Sequence, residues 1–147
     1  MICTFFGHRT APREIEKSLE RVITNLIVAH KVDSFYVGNQ GNFDVIVQRV
    51  MHRVKQQYPH IQYAVVLERL PPKGLALEET VDTVFPEGME SVPYRYAIDR
   101  RNTWMLNRAA FVVTYVTHTV GGAFKFKEKA RKQGKTVIEI SEYIKGV

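Results

Sequence analysis

Three short stretches carry the side chains best suited to chemistry. Gly7-His8-Arg9-Thr10 follows one apolar run, Gly38-Asn39-Gln40-Gly41 follows a second with Asp44 just beyond, and Thr117-His118-Thr119-Val120-Gly121-Gly122 follows a third. Each joins glycine to polar groups. Glycine lets backbone N–H groups approach an anion closely, and a helix that starts there adds a favourable partial charge. Arg9 offers a bidentate grip on phosphate. Asp44 is suited to accept from ribose hydroxyls, or to cap the helix that starts beside it. None of the stretches is the dinucleotide G-x-G-x-x-G or the P-loop motif.

A further cluster, Asp99-Arg100-Arg101-Asn102 with Trp104, Met105 and Asn107, sits on one helix. Helical spacing brings Arg101 and Asn102 beside Met105, so this face is not purely solvated. Metal binding is not expected. His8, His30, His52, His60 and His118 show no paired ligand spacing, and Cys3, the sole cysteine, lies in an apolar run. No cofactor is implied.

The elements that must position these residues are readable from periodicity. Residues 2–6, 34–38, 61–67, 110–116 and 136–140 read as strands that are apolar throughout. Helices are predicted over 12–29 (Thr10 as N-cap, Pro12 in the first turn), 43–57, 94–108 and 123–133, with Gly134 as a C-cap and a short helix from Ser141. Residues 68–93 hold Pro71, Pro72, Gly74, Pro86, Gly88 and Pro93. They read as a long loop with one short strand or helix fragment, serving as a lid, a partner surface or a dimer arm. The alternation predicts an α/β fold, a three-layer sandwich around a mostly parallel sheet of about five strands, and a single domain over 1–147. If the first strand is central with the fourth long strand beside it, the three loops converge on one crevice beyond the strand ends.

Bulk properties agree. The chain has 147 residues, 45% of them hydrophobic, enough for a real core, and a net charge of +6, which favours anionic partners such as nucleotides or nucleic acid. Lys125, Lys127, Lys129, Arg131, Lys132 and Lys135 are expected on a solvated helix face. No apolar run nears the roughly 18–20 residues that span a bilayer, and the start shows no signal-peptide pattern, so a cytoplasmic protein without membrane contact is expected.

The motifs, taken in order, carry a resemblance. The chain resembles the SLOG superfamily, the Rossmann-like group named for the DNA-processing protein DprA and the Lonely Guy (LOG) proteins, and is most similar to its small bacterial and phage members of uncharacterised function. Those open with a strand and G-H-R, here Gly7-His8-Arg9. They continue with a G-G-A-x-G-x-D turn, here residues 38–44, then R-N-x-x-M, here Arg101 to Met105, and G-G-T, here Gly121-Gly122-Ala123. Asn39 and Gln40 stand where small residues are usual, which predicts a re-specified pocket, and Ala123 replaces a threonine.

The resemblance implies a Rossmann-like fold and a nucleotide or nucleotide-derived ligand held by Gly7, His8, Arg9, Gly38, Asn39, Gln40, Gly41, Asp44, Asn102, Thr117, Gly121 and Gly122. A LOG-like phosphoribohydrolase, cleaving the N-glycosidic bond of a nucleoside monophosphate, is the alternative. Its catalytic residues by position are Arg101 and Glu128, with Asp44 a further carboxylate candidate. Single-stranded nucleic-acid binding, with Tyr94, Tyr96 and Trp104 as stacking aromatics, is a third reading. Related folds often dimerise near the site, so a homodimer is a further expectation.

Overall fold

A computed structural model describes residues 1–70 and 81–144. Among them, six strands form one sheet: β1 (Ile2–Gly7), β2 (Ser34–Val37), β3 (Gln62–Val66), β4 (Asp82–Val84), β5 (Phe111–Tyr115) and β6 (Thr136–Glu139). The order is β4-β3-β2-β1-β5-β6, and every pairing is parallel. The helices are α1 (Glu16–His30), α2 (Gly41–Gln57), α3 (Tyr94–Arg108), α4 (Gly122–Lys132) and α5 (Ile140–Ile144). Expectation and structure differ by one strand. β4 extends the sheet at its edge, and it comes from the stretch read as a long loop. That stretch also holds a 3₁₀ turn, Met89–Ser91, so its described part contains both a strand and a helical fragment. Its middle, 71–80, lies outside the described residues.

The central strands β1 and β5 are buried along nearly their whole length because both sheet faces are covered there. On one face, Cys3, Phe5, Phe35 and Val113 pack with α1 and α2 residues such as Leu19, Ile23, Val47 and Met51. On the other, Phe6, Val66 and Val112 pack with Met105 and Leu106 of α3 and Phe126 of α4. Phe6 stacks on Phe126 with ring centroids 5.2 Å apart.

Helix starts depart from expectation in one place. Thr10 caps nothing; the first helical turn is 3₁₀, Arg13–Ile15, and α1 proper begins at Glu16. Pro12, extended at φ −81° and ψ 156°, restricts the residue before it and keeps the chain out of the helix until Arg13. The exit of α4 is as expected. Gly134, at φ +75°, donates to Arg131 O and Lys135 N–H donates to Ala130 O, both at 3.0 Å, which closes the helix with a Schellman pair.

Candidate functional site

β1 is central; the chain runs outward from it through β2 and β3 to β4, then returns to add β5 on the other side of β1. The strand ends on either side of that reversal leave a crevice. A cavity of about 450 Å³ lies there. It is lined by Gly7, His8 and Arg9 after β1, Gln40 and Asp44 at the start of α2, Arg101 and Asn102 on α3, and His118, Gly121 and Gly122 before α4. Of the residues predicted to bind ligand, Gly38, Asn39, Gly41 and Thr117 do not line it. Glu128 does not line it either. It pairs with Arg131 along α4, Nη1 to Oε1 at 3.3 Å, so Arg101 and Glu128 are not brought together as cavity-lining residues.

Arg101 organises the wall. It falls on the buried stripe of α3 with Ala97 and Met105, at i, i+4 spacing, and is 1% exposed. Its Nη1 donates to Asn39 Oδ1 at 2.9 Å and to Val66 O at 2.8 Å, and its Nε donates to Asn102 Oδ1 at 2.8 Å. Glu68 Oε2 stands 3.7 Å from Nη1. Burial pulls the Arg101 pKa down from its ordinary value, and Asp44 and Glu68 oppose that. Asn39 therefore works through Arg101 rather than on the cavity itself.

Asp44 is 8% exposed, and its Oδ2 accepts the backbone N–H of Gln40, the N-cap residue of α2, at 2.8 Å, reaching back as in a capping box. Its Oδ1 takes no hydrogen bond among the described residues. Burial pushes the carboxyl up to about 6, and Glu68 adds to this, while the Gln40 N–H, Arg101 and Arg9 pull it back. Gly38 is wedged beside it: a Cβ there would lie 2.5 Å from Asp44 Oδ2 and 3.4 Å from Arg101 Nη2. Gln40 ties the loops together. Its Oε1 accepts from Arg9 Nη2 at 3.4 Å, and its Nε2 donates to Glu68 Oε1 at 3.1 Å.

Across the cavity, α4 starts at Gly122 with no side-chain cap. Gly121 precedes it at φ +94°, a conformation that favours glycine, and a Cβ on either glycine would meet nothing within 4 Å. The first intrahelical bond is Lys125 N–H to Gly121 O. The N–H groups of Gly122, Ala123 and Phe124 are thus left for a ligand or solvent.

The third side holds two imidazoles. His8, 8% exposed, accepts the Thr117 N–H on Nε2 at 2.8 Å. His118 stacks on it at 3.7 Å between centroids and 6° between planes. Burial lowers the His8 pKa, His118 lowers it further, and Glu139 acts the other way.

The fold is similar to that of DNA processing protein A. The likeness is to the X-ray structure of that protein (DprA) from Streptococcus pneumoniae, with a TM-score of 0.64 and 17% sequence identity over 92% of this chain and 48% of that one. This chain thus spans about half the length of DprA. No protein-family model matches the chain, and no curated protein matches it. At this identity the DprA likeness shows the fold, an α/β Rossmann-like one, and nothing about ligands.

Two buried carboxylates escaped the sequence reading. Glu68, 6% exposed, follows β3; its Oε2 has no hydrogen-bond partner among the described residues. The signal was present as a glutamate ending an apolar strand. Glu139 ends β6 and accepts from Thr114 Oγ1 at 2.7 Å, Lys127 Nζ at 2.9 Å, and the N–H groups of Val116 and Ser141. Burial raises its pKa, but those donors outweigh it and the net shift is downward.

A larger hollow of about 940 Å³ runs along the outer side of α1, lined by Arg13, Glu16, Glu20, Val28 and Arg53. Three of its charged residues are paired: Glu16 binds Arg49 and Arg53, and Arg53 also binds Glu20. It takes in the start of α1 but no strand end. No three His, Cys, Asp or Glu side chains among the described residues could hold a metal ion, and no described helix is long and apolar enough to cross a membrane.

Proposed function

We propose that the cavity at the strand ends binds a nucleotide or nucleotide-derived ligand, such as a nucleoside monophosphate or ADP-ribose. The observation that carries this reading is the open start of α4. Two residues with N–H groups left without partners among the described residues, Gly122 and Ala123, line a cavity that also holds Arg9 and the buried Arg101, a combination that suits a phosphate. Among the described residues the Arg9 side chain makes one long hydrogen bond, Nη2 donating to Gln40 Oε1 at 3.4 Å, so it is free to turn to an anion. A volume of about 450 Å³ suits a small ligand of this class. A SLOG-type assignment accords with the motif order and with the DprA-like fold.

The test is thermal unfolding against a nucleotide panel. At ligand concentrations about 100-fold above Kd the stabilisation is roughly 2.7 kcal/mol, readable as a clear rise in Tm. Arg9→Ala abolishes the rise and leaves the unliganded Tm in place. No shift with any member of the panel refutes the reading.

A second reading, N-glycosidic hydrolysis of the bound nucleotide, is favoured by Asp44. This cavity carboxyl, held near 6 with a free Oδ1, suits acid–base work near neutral pH. Water would attack C1′ and give its proton to Asp44, the C1′–N electron pair would leave with the base, and the base would take up that proton from Asp44 through solvent. Release of adenine from AMP, lost in Asp44→Asn and kept in Glu128→Gln, is the expected result. No release by the native chain sinks this reading and leaves binding untouched.

A further inference from the structure

The imidazole pair on the third side of the cavity has no part in anion binding as described above. His8 is fixed twice: its Nε2 accepts the Thr117 N–H at 2.8 Å, and its ring meets Tyr115 edge-on at 6.1 Å and 77°. His118 then lies flat on it, 3.7 Å away and tilted by only 6°. Aromatic pairs left to themselves favour offset or edge-to-face geometry over so close a parallel overlap. The loop after β5 therefore imposes this stack. With Nε2 acting as an acceptor, His8 is a neutral ring, so the stack holds without placing two imidazolium charges face to face. One face of His118 is covered by His8. The residue is nonetheless exposed and lines the cavity, which leaves its other face for a ligand.

We infer that His118, backed by His8, is a stacking platform for the planar heteroaromatic ring of the ligand, and so decides that the cavity takes base-bearing molecules rather than bare sugar phosphates. The inference rests on the nucleotide reading of the same cavity and adds the part of the ligand that phosphate contacts cannot see. Stacking of this kind tolerates any base, because every base has a π face. The residue is a specificity determinant, with no proton transfer assigned to it.

The experiment compares AMP, GMP, CMP and UMP with ribose 5-phosphate by titration calorimetry. Alanine substitution of a stacking aromatic weakens binding about 5- to 150-fold per base. The native chain is expected to hold the four nucleotides more tightly than ribose 5-phosphate by a factor in that range. His118→Ala brings them down to the ribose 5-phosphate value and leaves ribose 5-phosphate itself unchanged, while His118→Phe restores the preference. Circular dichroism checks that both variants fold. Equal binding of nucleotides and ribose 5-phosphate by the native chain overturns the platform while the anion site stands. His118→Ala weakening both ligand types alike, or neither, also overturns it. Binding of no nucleotide and no ribose 5-phosphate by the native chain overturns the nucleotide reading and this inference together.

Discussion

Asp44→Asn should make the protein more stable. The native carboxyl lies 92% out of solvent among Gln40, Arg101, Arg9 and Glu68, and burial outweighs the cations and the N–H that favour its charge. Its pKa rises from an ordinary 3.8 to about 6. At roughly 1.4 kcal/mol per pH unit, keeping it ionised at pH 7 costs the fold about 3 kcal/mol. The direction with pH follows. Between about 4 and 6 the folded chain holds a proton that the unfolded chain has lost, so native stability falls as pH rises through that window and stays low above it. Asparagine mimics the protonated acid, and its Oδ1 still accepts the Gln40 N–H. The gap between variant and native chain is then near zero at pH 4, opens through pH 6, and levels at about 3 kcal/mol. That is roughly 6–12 °C in Tm for a chain of this size. Urea unfolding followed by the fluorescence of Trp104, the single tryptophan, measures it at each pH. A variant less stable than the native chain at pH 7, or a gap that does not change with pH, refutes the reasoning and means that Arg101 and Arg9 fully compensate the charge.

Two further outcomes follow from the same wall. Gly38→Ala sets a Cβ against Asp44 Oδ2 and should cost about 1–3 kcal/mol in urea unfolding, in line with overpacked sites; Asp44→Ala in the same chain should recover part of it. Arg101→Met strips the cation from between Asp44 and Glu68 and leaves Asn39 and the Val66 carbonyl without their donor, a loss of about 3–5 kcal/mol, lessened when Asp44→Asn is added.

The architecture was legible because uniformly apolar runs alternating with amphipathic ones admit few arrangements besides a covered parallel sheet. α3 was read at its observed bounds, since Pro93 and the apolar run from residue 110 bracket it. β4 was harder to see: three residues on an edge carry almost no periodic signal, and their pairing to β3 is a tertiary fact. The local start of α1 was misjudged because Thr10 looked like a cap while Pro12 kept the chain extended. In the site, loop residues after β1, β2 and β5 were legible as glycine with polar neighbours. Whether each faces the cavity was not. Asn39 and Gln40 illustrate this: both stood out as large residues where small ones are usual, but only the folded chain shows Asn39 turned to Arg101 and Gln40 joined to Arg9 and Glu68. Glu68 itself depends on the approach of α3 over the end of β3, which no local pattern encodes.

The central claim, an anion-bearing nucleotide at the uncapped start of α4, is tested most directly by titrating ¹⁵N-labelled protein with AMP and following its backbone amides by NMR. The account predicts that Gly121, Gly122 and Ala123 shift together with Arg9 and His118, while residues of the outer α1 hollow such as Glu20 and Val28 stay in place. Shifts confined to that hollow, or none with AMP or ADP-ribose at millimolar concentration, would contradict it.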